Sequence, residues 1–196
     1  VTADAQSRPY GSANPPFTYT ITGFVNGDTA LTAVTGAANC TTTATTSSPA
    51  TTYPITCTQD TLAATNYTFN FVAGTLTVTK VQLTVTAENK SKTYGDANPA
   101  LTYAITGFVN GDLIGVVGGT ASCSTVAANS PVGTYAITCT QGSLAATNYT
   151  FAFVAGTLTI NPAVLTVTAE NKSKTYGAAN PPLTYVITGF VNGDLP

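Results

Sequence analysis

The chain repeats itself, and a short repeated unit must either close its own core or bury it against its neighbours. Residues 83–112 read LTVTAENKSKTYGDANPALTYAITGFVNGD and residues 165–194 read LTVTAENKSKTYGAANPPLTYVITGFVNGD. They differ only at Asp96/Ala178, Ala100/Pro182 and Ala104/Val186. A third copy opens the chain and is in register from Tyr10-Gly11 onward. The later halves match as well, TLAATNYTFNFVAGTLTV (61–78) against SLAATNYTFAFVAGTLTI (143–160). Tyr10 and Tyr94 are 84 positions apart, Tyr94 and Tyr176 82. One of the extra residues falls between Asp28 and Cys40 and the other between Cys40 and Cys57, both in loop-like stretches where length changes are tolerated. The organisation read from this is a first repeat over residues 1–80 lacking its first residues, a complete second over 81–162, and a partial third over 163–196. Val1 matches Val85 and Val167, so the expectation is a stretch of a longer tandem array.

Within the complete repeat the periodicity is two. Leu83, Val85 and Ala87 alternate with Thr, as do Leu158 and Ile160. Tyr103 and Ile105, then Tyr135, Ile137 and Cys139, then Tyr149, Phe151 and Phe153 do the same against Ala and Thr. Such alternation is the mark of half-buried strands. Ile114–Val117 is a short apolar run broken by Gly118-Gly119. About seven short strands in a unit of this length predict an all-β fold, a small Ig-like β-sandwich. The alternating apolar residues supply a thin core. A sheet-plus-helix β-grasp is the alternative, for which no helical segment is evident. Only three or four residues join one repeat to the next, in TVTKVQLTV (77–85) and TINPAVLTV (159–167), with Pro162 in the second. Joints this short predict a rod-like array.

Composition excludes several classes of function. Only 7% of residues are charged, the net charge is −2, and there is no His, Met or Trp. No basic patch exists for nucleic acid, and no apolar run approaches the roughly 18 residues of a membrane helix. Thr makes up roughly a fifth of the chain, far above ordinary usage. Without His no Ser-His-Asp triad can be built. Glu88, Asp96 and Asp112 do not recur as a pair, since the first repeat has Asp4, Ser12 and Asp28. The expectation is therefore no enzyme, no catalytic residue, no cofactor and no metal.

Each full repeat carries two cysteines, Cys40/Cys57 and Cys123/Cys139. Similar spacing in a strand-rich chain predicts one disulfide per repeat, with free buried thiols as the alternative. Zinc would need four ligands. A disulfide closing about fifteen residues contributes roughly 3 kcal/mol by chain entropy and belongs in an oxidising compartment. The expected location is therefore extracellular or at the cell surface.

An opening LTVTA, then KTYGDANP, LTYxITGFVNGD, a central GTYAIT strand and NYTFxFVAGTLTI together resemble the MBG repeat, in its Tyr-Gly variant. The signature falls here at Tyr10-Gly11, Tyr94-Gly95 and Tyr176-Gly177. The resemblance covers essentially the whole chain. It implies a large bacterial surface or secreted protein, often adhesin-like, with the repeats as stalk or fibre and no catalytic residues to carry over.

Three NGD sequences stand out: Asn26, Gly27 and Asp28; Asn110, Gly111 and Asp112; Asn192, Gly193 and Asp194. They read as hairpin turns with Asn and Gly at positive φ. A calcium site is the competing reading, short of the six or more oxygens that calcium takes. Intramolecular isopeptide bonds need a Lys at a core position, and none recurs: Lys80 is matched by Pro162, and Lys90/Lys92 by Gln6/Arg8 in a polar segment. Thr–Gln ester chemistry at Gln59 and Gln141 lacks a His. The Thr strings read as outer strand faces rather than ice-binding ladders. Sequons at Asn39, Asn66, Asn89, Asn148 and Asn171 matter only where the host glycosylates Asn, and chance in a Thr-rich chain explains most of them.

Strand edges are normally guarded by charge, and this chain has few charges. Its faces are expected to be covered by O-glycans on Thr, or by self-association with further repeats or neighbouring chains in a fibre. The function so implied is a structural stalk or fibre segment serving adhesion, spacing or extracellular matrix. The alternative is a module recognising carbohydrate or a surface through repeated weak sites. An accessory domain of an enzyme elsewhere in the protein is a third reading. Aromatics at loop tips would favour recognition, and buried aromatics a stalk.

Overall fold

The computed structural model describes residues 1–196. In the first repeat the chain forms β1 (Thr2–Ala3), β2 (Gln6–Pro9), β3 (Tyr19–Thr20), a four-residue helix α1 (Ala30–Ala33), β4 (Asn39–Thr41), β5 (Thr52–Thr58) and β6 (Gly74–Thr79). In the second it forms β7 (Val81–Ala87), β8 (Lys90–Thr93), β9 (Tyr103–Thr106), a 3-10 turn (Ile114–Val116), β10 (Ser122–Ser124), β11 (Gly133–Thr140), β12 (Tyr149–Val154) and β13 (Gly156–Asn161). The third contributes β14 (Thr166–Ala169) and β15 (Tyr185–Thr188). No helix is long and apolar enough to cross a membrane. The fold is all-β, as the alternation of apolar residues and Thr requires.

The complete repeat has a four-stranded sheet, β10-β11-β13-β8, and a three-stranded sheet, β12-β7-β9. The first extended stretch of the repeat changes sheet at Glu88-Asn89, and the last does so at Ala155. The two run side by side, with β8 parallel to β13 in the register Leu158↔Lys90 to Asn161↔Thr93. The first repeat keeps this arrangement, β2 lying parallel to β6 from Gln6↔Leu76 to Pro9↔Thr79. Glycine marks the crossing. A Cβ at Gly156 would lie 2.5 Å from the Ala87 carbonyl oxygen, and one at Gly74 2.4 Å from that of Ala3.

The core lies where the two sheets face each other. Ala87, Ile137, Cys139, Leu158 and Ile160 are buried together, with Tyr103, Cys123, Tyr135 and Phe153 packed around them. Cys123 and Cys139 sit directly opposite each other on β10 and β11 and form a disulfide, as do Cys40 and Cys57 on β4 and β5. Thr faces outward along these strands: Thr134, Thr138 and Thr140 are all exposed.

Three local expectations change. The apolar run at Ile114 is a 3-10 turn with Ile114 and Val116 exposed, because nothing covers it. Leu62 and Leu144, which the strand pattern does not place in the core, are buried. Arg8 and Lys92, in a segment read as polar surface, are buried at 4% and 8% exposure. The Lys92 ammonium donates to the carbonyls of Asp96 (2.8 Å) and Ala128 (2.5 Å). Arg8 donates to Pro9 O and Thr45 O and to the Asn14 amide oxygen. A buried cation is tolerated when polar groups satisfy it, and here each cation takes one near carbonyl and one from a distant loop, Thr45 O for Arg8 and Ala128 O for Lys92.

By contact density the chain divides into two compact units. One comprises Val1–Thr84, Thr106–Thr120 and Ser143–Ala152, the other Val85–Ile105, Ala121–Gly142 and Phe153–Pro196. The first unit thus contains both the first repeat and the part of the second that carries the NGD turn and Tyr149.

Candidate functional site

The most specified cluster outside the sheets surrounds Tyr10-Gly11, within the first compact unit. Bonds from within the first repeat build this turn: Ser12 N donates locally to Pro9 O (3.2 Å), while Tyr10 N donates to Thr79 O (2.9 Å) and Gly11 N to Thr46 O (3.2 Å), both far along the chain. Gly11 takes φ +82. Tyr10 is 5% exposed because its ring stands edge-on to Tyr149 of the second repeat, with centroids 5.7 Å apart at 82°. Its hydroxyl accepts from Asn110 Nδ2 at 3.1 Å. A Cβ on Gly11 would meet Val109 Cγ2 at 2.9 Å, so the missing side chain is what lets the turns touch.

The receiving surface is a second turn and one tyrosine. Asn110 (φ 59) and Gly111 (φ 77) both have positive φ, the signature of a type I′ turn. Asp112 N closes it onto Val109 O at 3.0 Å. The Tyr149 hydroxyl donates to Asp112 Oδ2 at 2.7 Å and accepts from Val109 N at 3.3 Å. Phe108 packs edge-on against the same ring, 5.8 Å away. Burial, reinforced by the hydrogen bond to Asp112, pushes the Tyr149 phenol up to about 12. Three further bonds tie the first repeat and its connecting segment to the second repeat. Val81 N donates to Asn148 O (3.0 Å), Ala50 N to Asn148 Oδ1 (3.0 Å), and Lys80 Nζ to Ala146 O (3.3 Å).

The arrangement recurs within the second compact unit. Gly95 has φ +94, and a Cβ there would lie 2.7 Å from Val191, next to the turn of Asn192 (φ 54) and Gly193 (φ 81). Beside it is a cleft of 470 Å³ lined by Tyr94, Pro162, Leu165, Phe190, Val191 and Leu195. The repeating pattern matches the model of the MBG domain (YGX type) over residues 1–77, 83–159 and 165–196. The chain belongs to this MBG family. No curated protein matches it. The Tyr-Gly pair that marks this MBG type is, in this chain, the residue pair that meets the next repeat.

The first MBG repeat carries the receiving surface too. Asn26 (φ 55) and Gly27 (φ 80) form the turn. Tyr67 donates to Asp28 Oδ2 at 2.6 Å, and Phe24 stands edge-on to it at 5.5 Å. The hydrogen bond to Asp28 is the main cause holding the Tyr67 phenol above its ordinary value.

All three NGD sequences are therefore tight turns, but in the two full repeats the turn does not join two paired strands. After Asp112 the chain passes into the 3-10 turn, because Tyr149 engages the backbone of Val109 and the carboxylate of Asp112. In the two full repeats the Asp side chain accepts from a Tyr hydroxyl. Sequence reasoning placed Tyr149 only on a strand and Asn148 only in a sequon, and passed over Tyr67. Their signal was present in the recurring AATNYTF, 39 positions from Asp28 to Tyr67 and 37 from Asp112 to Tyr149.

Proposed function

We propose that this chain is a structural stalk or fibre segment of a secreted bacterial surface protein, serving attachment, spacing or matrix building. The seating of one repeat's Tyr-Gly turn on the next repeat's turn and tyrosine carries this reading. Each MBG repeat supplies both halves of the contact, so repetition itself generates the joint. All fifteen aromatic rings of residues 1–162 are buried or half-buried, which leaves no aromatic loop tip for a sugar ring in the two full repeats and favours the stalk over the recognition module. The paired disulfides fit an oxidising location. Carboxylates at matching places in the two full repeats hold neighbouring side chains. Asp4 accepts from Thr18 and Thr20, and Glu88 accepts from Thr102 and Lys90.

An antibody raised against the chain and imaged on native cells by electron microscopy tests the proposal. Label along threads or filaments projecting from the surface is expected. Label confined to the cell interior, or to compact soluble particles, overturns it.

A further inference from the structure

The four-stranded sheet of each full repeat keeps its charges inside and leaves its outer face bare of them. In β8, Lys92 is buried and Lys90 half-buried, while Ser91 and Thr93 are exposed. In β2, Arg8 is buried, while Ser7 and Pro9 are exposed. A shift of β8 by one residue would turn both lysines outward. No charged residue stands between Asp112 and Glu170, a span that includes β10, β11 and β13, and β4, β5 and β6 have none either. The outward positions of β10-β11-β13-β8 are therefore only Ser, Thr, Ala and Asn, and those of β4-β5-β6-β2 only Ser, Thr, Pro and Asn. A sheet that faces water alone is ordinarily guarded by Lys and other charges.

The hydroxyls also line up across the strands. Thr134, Thr159 and Ser91 are partners on β11, β13 and β8, and Thr138 stands opposite Ser124 on β10. The first repeat has the same rows: Thr52, Thr77 and Ser7 on β5, β6 and β2, and Thr56 opposite Thr41 on β4. Such rows repeat at about 4.8 Å across the sheet and about 6.7 Å along it. A Thr hydroxyl both donates and accepts, and its methyl is apolar, so a face of this kind is complementary to itself. Its side chains are short, and nothing long or charged stands on it to hold a copy away.

We propose that a second copy of this chain covers this face: the uncharged outer side of the disulfide-bearing sheet packs on the same side of another chain, sheet on sheet. The inference rests on the fibre reading above and names its lateral contact. One surface meets its own copy, so the contact is isologous. Its size follows from the strands. Four strands, the longest of eight residues, offer roughly 500 Å² per repeat. A stable complex buries about 800 Å² per partner. The face of one repeat therefore binds weakly, and a firm contact needs the faces of several repeats acting together. A tandem array carries one such face in every repeat.

Sedimentation of the full chain up to about 1 mM, the range of weak contacts, is the test. The average mass is expected to rise with concentration and not to fall as salt is added, because no charge takes part. Thr56→Lys with Thr138→Lys places a cation at matching exposed positions of the two faces, and this double variant is expected to stay monomeric. Thr56→Glu with Thr138→Glu is expected to do the same. Mixed, the two double variants are expected to associate again, now in a way that salt weakens, which also shows that both are folded. Thr68→Lys with Thr150→Lys adds the same charge at exposed positions outside these sheets, Thr150 lying on β12, and is expected to associate like the wild type. A wild-type chain that remains monomeric throughout overturns the proposal. So does association that salt dissolves, a mixture of Lys and Glu variants that stays monomeric, or a loss as large in the Thr68 and Thr150 variant as in the Thr56 and Thr138 variant. The antibody images of native cells separate this failure from that of the fibre reading. A monomeric chain with label along single threads dismisses only the lateral contact, whereas label away from any thread dismisses the fibre itself.

Discussion

Replacing Gly11 by Ala separates the two demands placed on that glycine. The first is local: φ +82 in a residue with a Cβ costs about 1–2 kcal/mol. The second belongs to the joint. The new Cβ would stand 2.9 Å from Val109 Cγ2, where carbons settle at about 3.5–4.0 Å. It would also press on Val109 Cβ and Asn110 Cβ, both at 3.3 Å. Forcing a methyl into such a contact costs roughly 1–3 kcal/mol. Gly27→Ala is the matched control, since Gly27 has φ +80 and nothing within 4 Å of its Cβ position. The expected losses are therefore about 2–5 kcal/mol for Gly11→Ala and about 1–2 kcal/mol for Gly27→Ala, read from urea unfolding of the full chain. A joint-specific readout accompanies them. In Gly11→Ala the Tyr149 phenol should fall from about 12 toward its ordinary value as Tyr10 withdraws, and in Gly27→Ala it should not move. Equal stability losses with an unmoved Tyr149 in both variants would falsify the claim that this glycine exists for the neighbouring repeat.

Tyr149→Phe removes the donor to Asp112 and the acceptor for Val109 N, and should cost roughly 1–3 kcal/mol in chemical denaturation. Because the folded phenol titrates at about 12 and the unfolded one at 10, the native state holds this proton more tightly. The resulting stability is complete below pH 10 and is lost as pH rises to 12, and Tyr149→Phe should flatten that decline in melting curves taken across the range. Lys92→Met strands the carbonyls of Asp96 and Ala128 at a cost of about 1–3 kcal/mol. Lys92→Arg should be far milder, since Arg8 already occupies the equivalent place in the first repeat. Replacing both Cys123 and Cys139 by Ser should lower stability by roughly 3 kcal/mol, seen as a shifted urea midpoint at unchanged far-UV signal.

The strands were legible because their period is two and their outward partner is nearly always Thr. Ile137 and Cys139, or Leu158 and Ile160, could be placed on one face from spacing alone. The turns at Asn26, Asn110 and Asn192 were legible because Asn-Gly at positive φ is a local preference. What acts across distance was not. No local signal says that β8 runs parallel to β13, because that pairing joins residues far apart in the chain. Lys92 looked like surface, since its carbonyl partner at Ala128 lies 36 residues away. Leu144 sits alone among small and polar residues, with no periodicity to betray its burial. The joint was half visible. The sequence displayed Tyr-Gly and NGD as repeated motifs, but nothing in it indicated that the first of one repeat meets the second of the next.

The parallel course of the first and last strands has a mechanical consequence. Tension enters a repeat at the start of its first strand and leaves at the end of its last. For parallel neighbours these points lie at opposite ends of the pair. Pulling therefore slides β8 along β13 and loads all their hydrogen bonds at once, instead of opening them one by one like a zipper. If that pair does yield, the disulfide between β10 and β11 limits how far the chain pays out. The fifteen residues between Cys123 and Cys139 stay in a closed loop, withholding about 50 Å of slack per repeat.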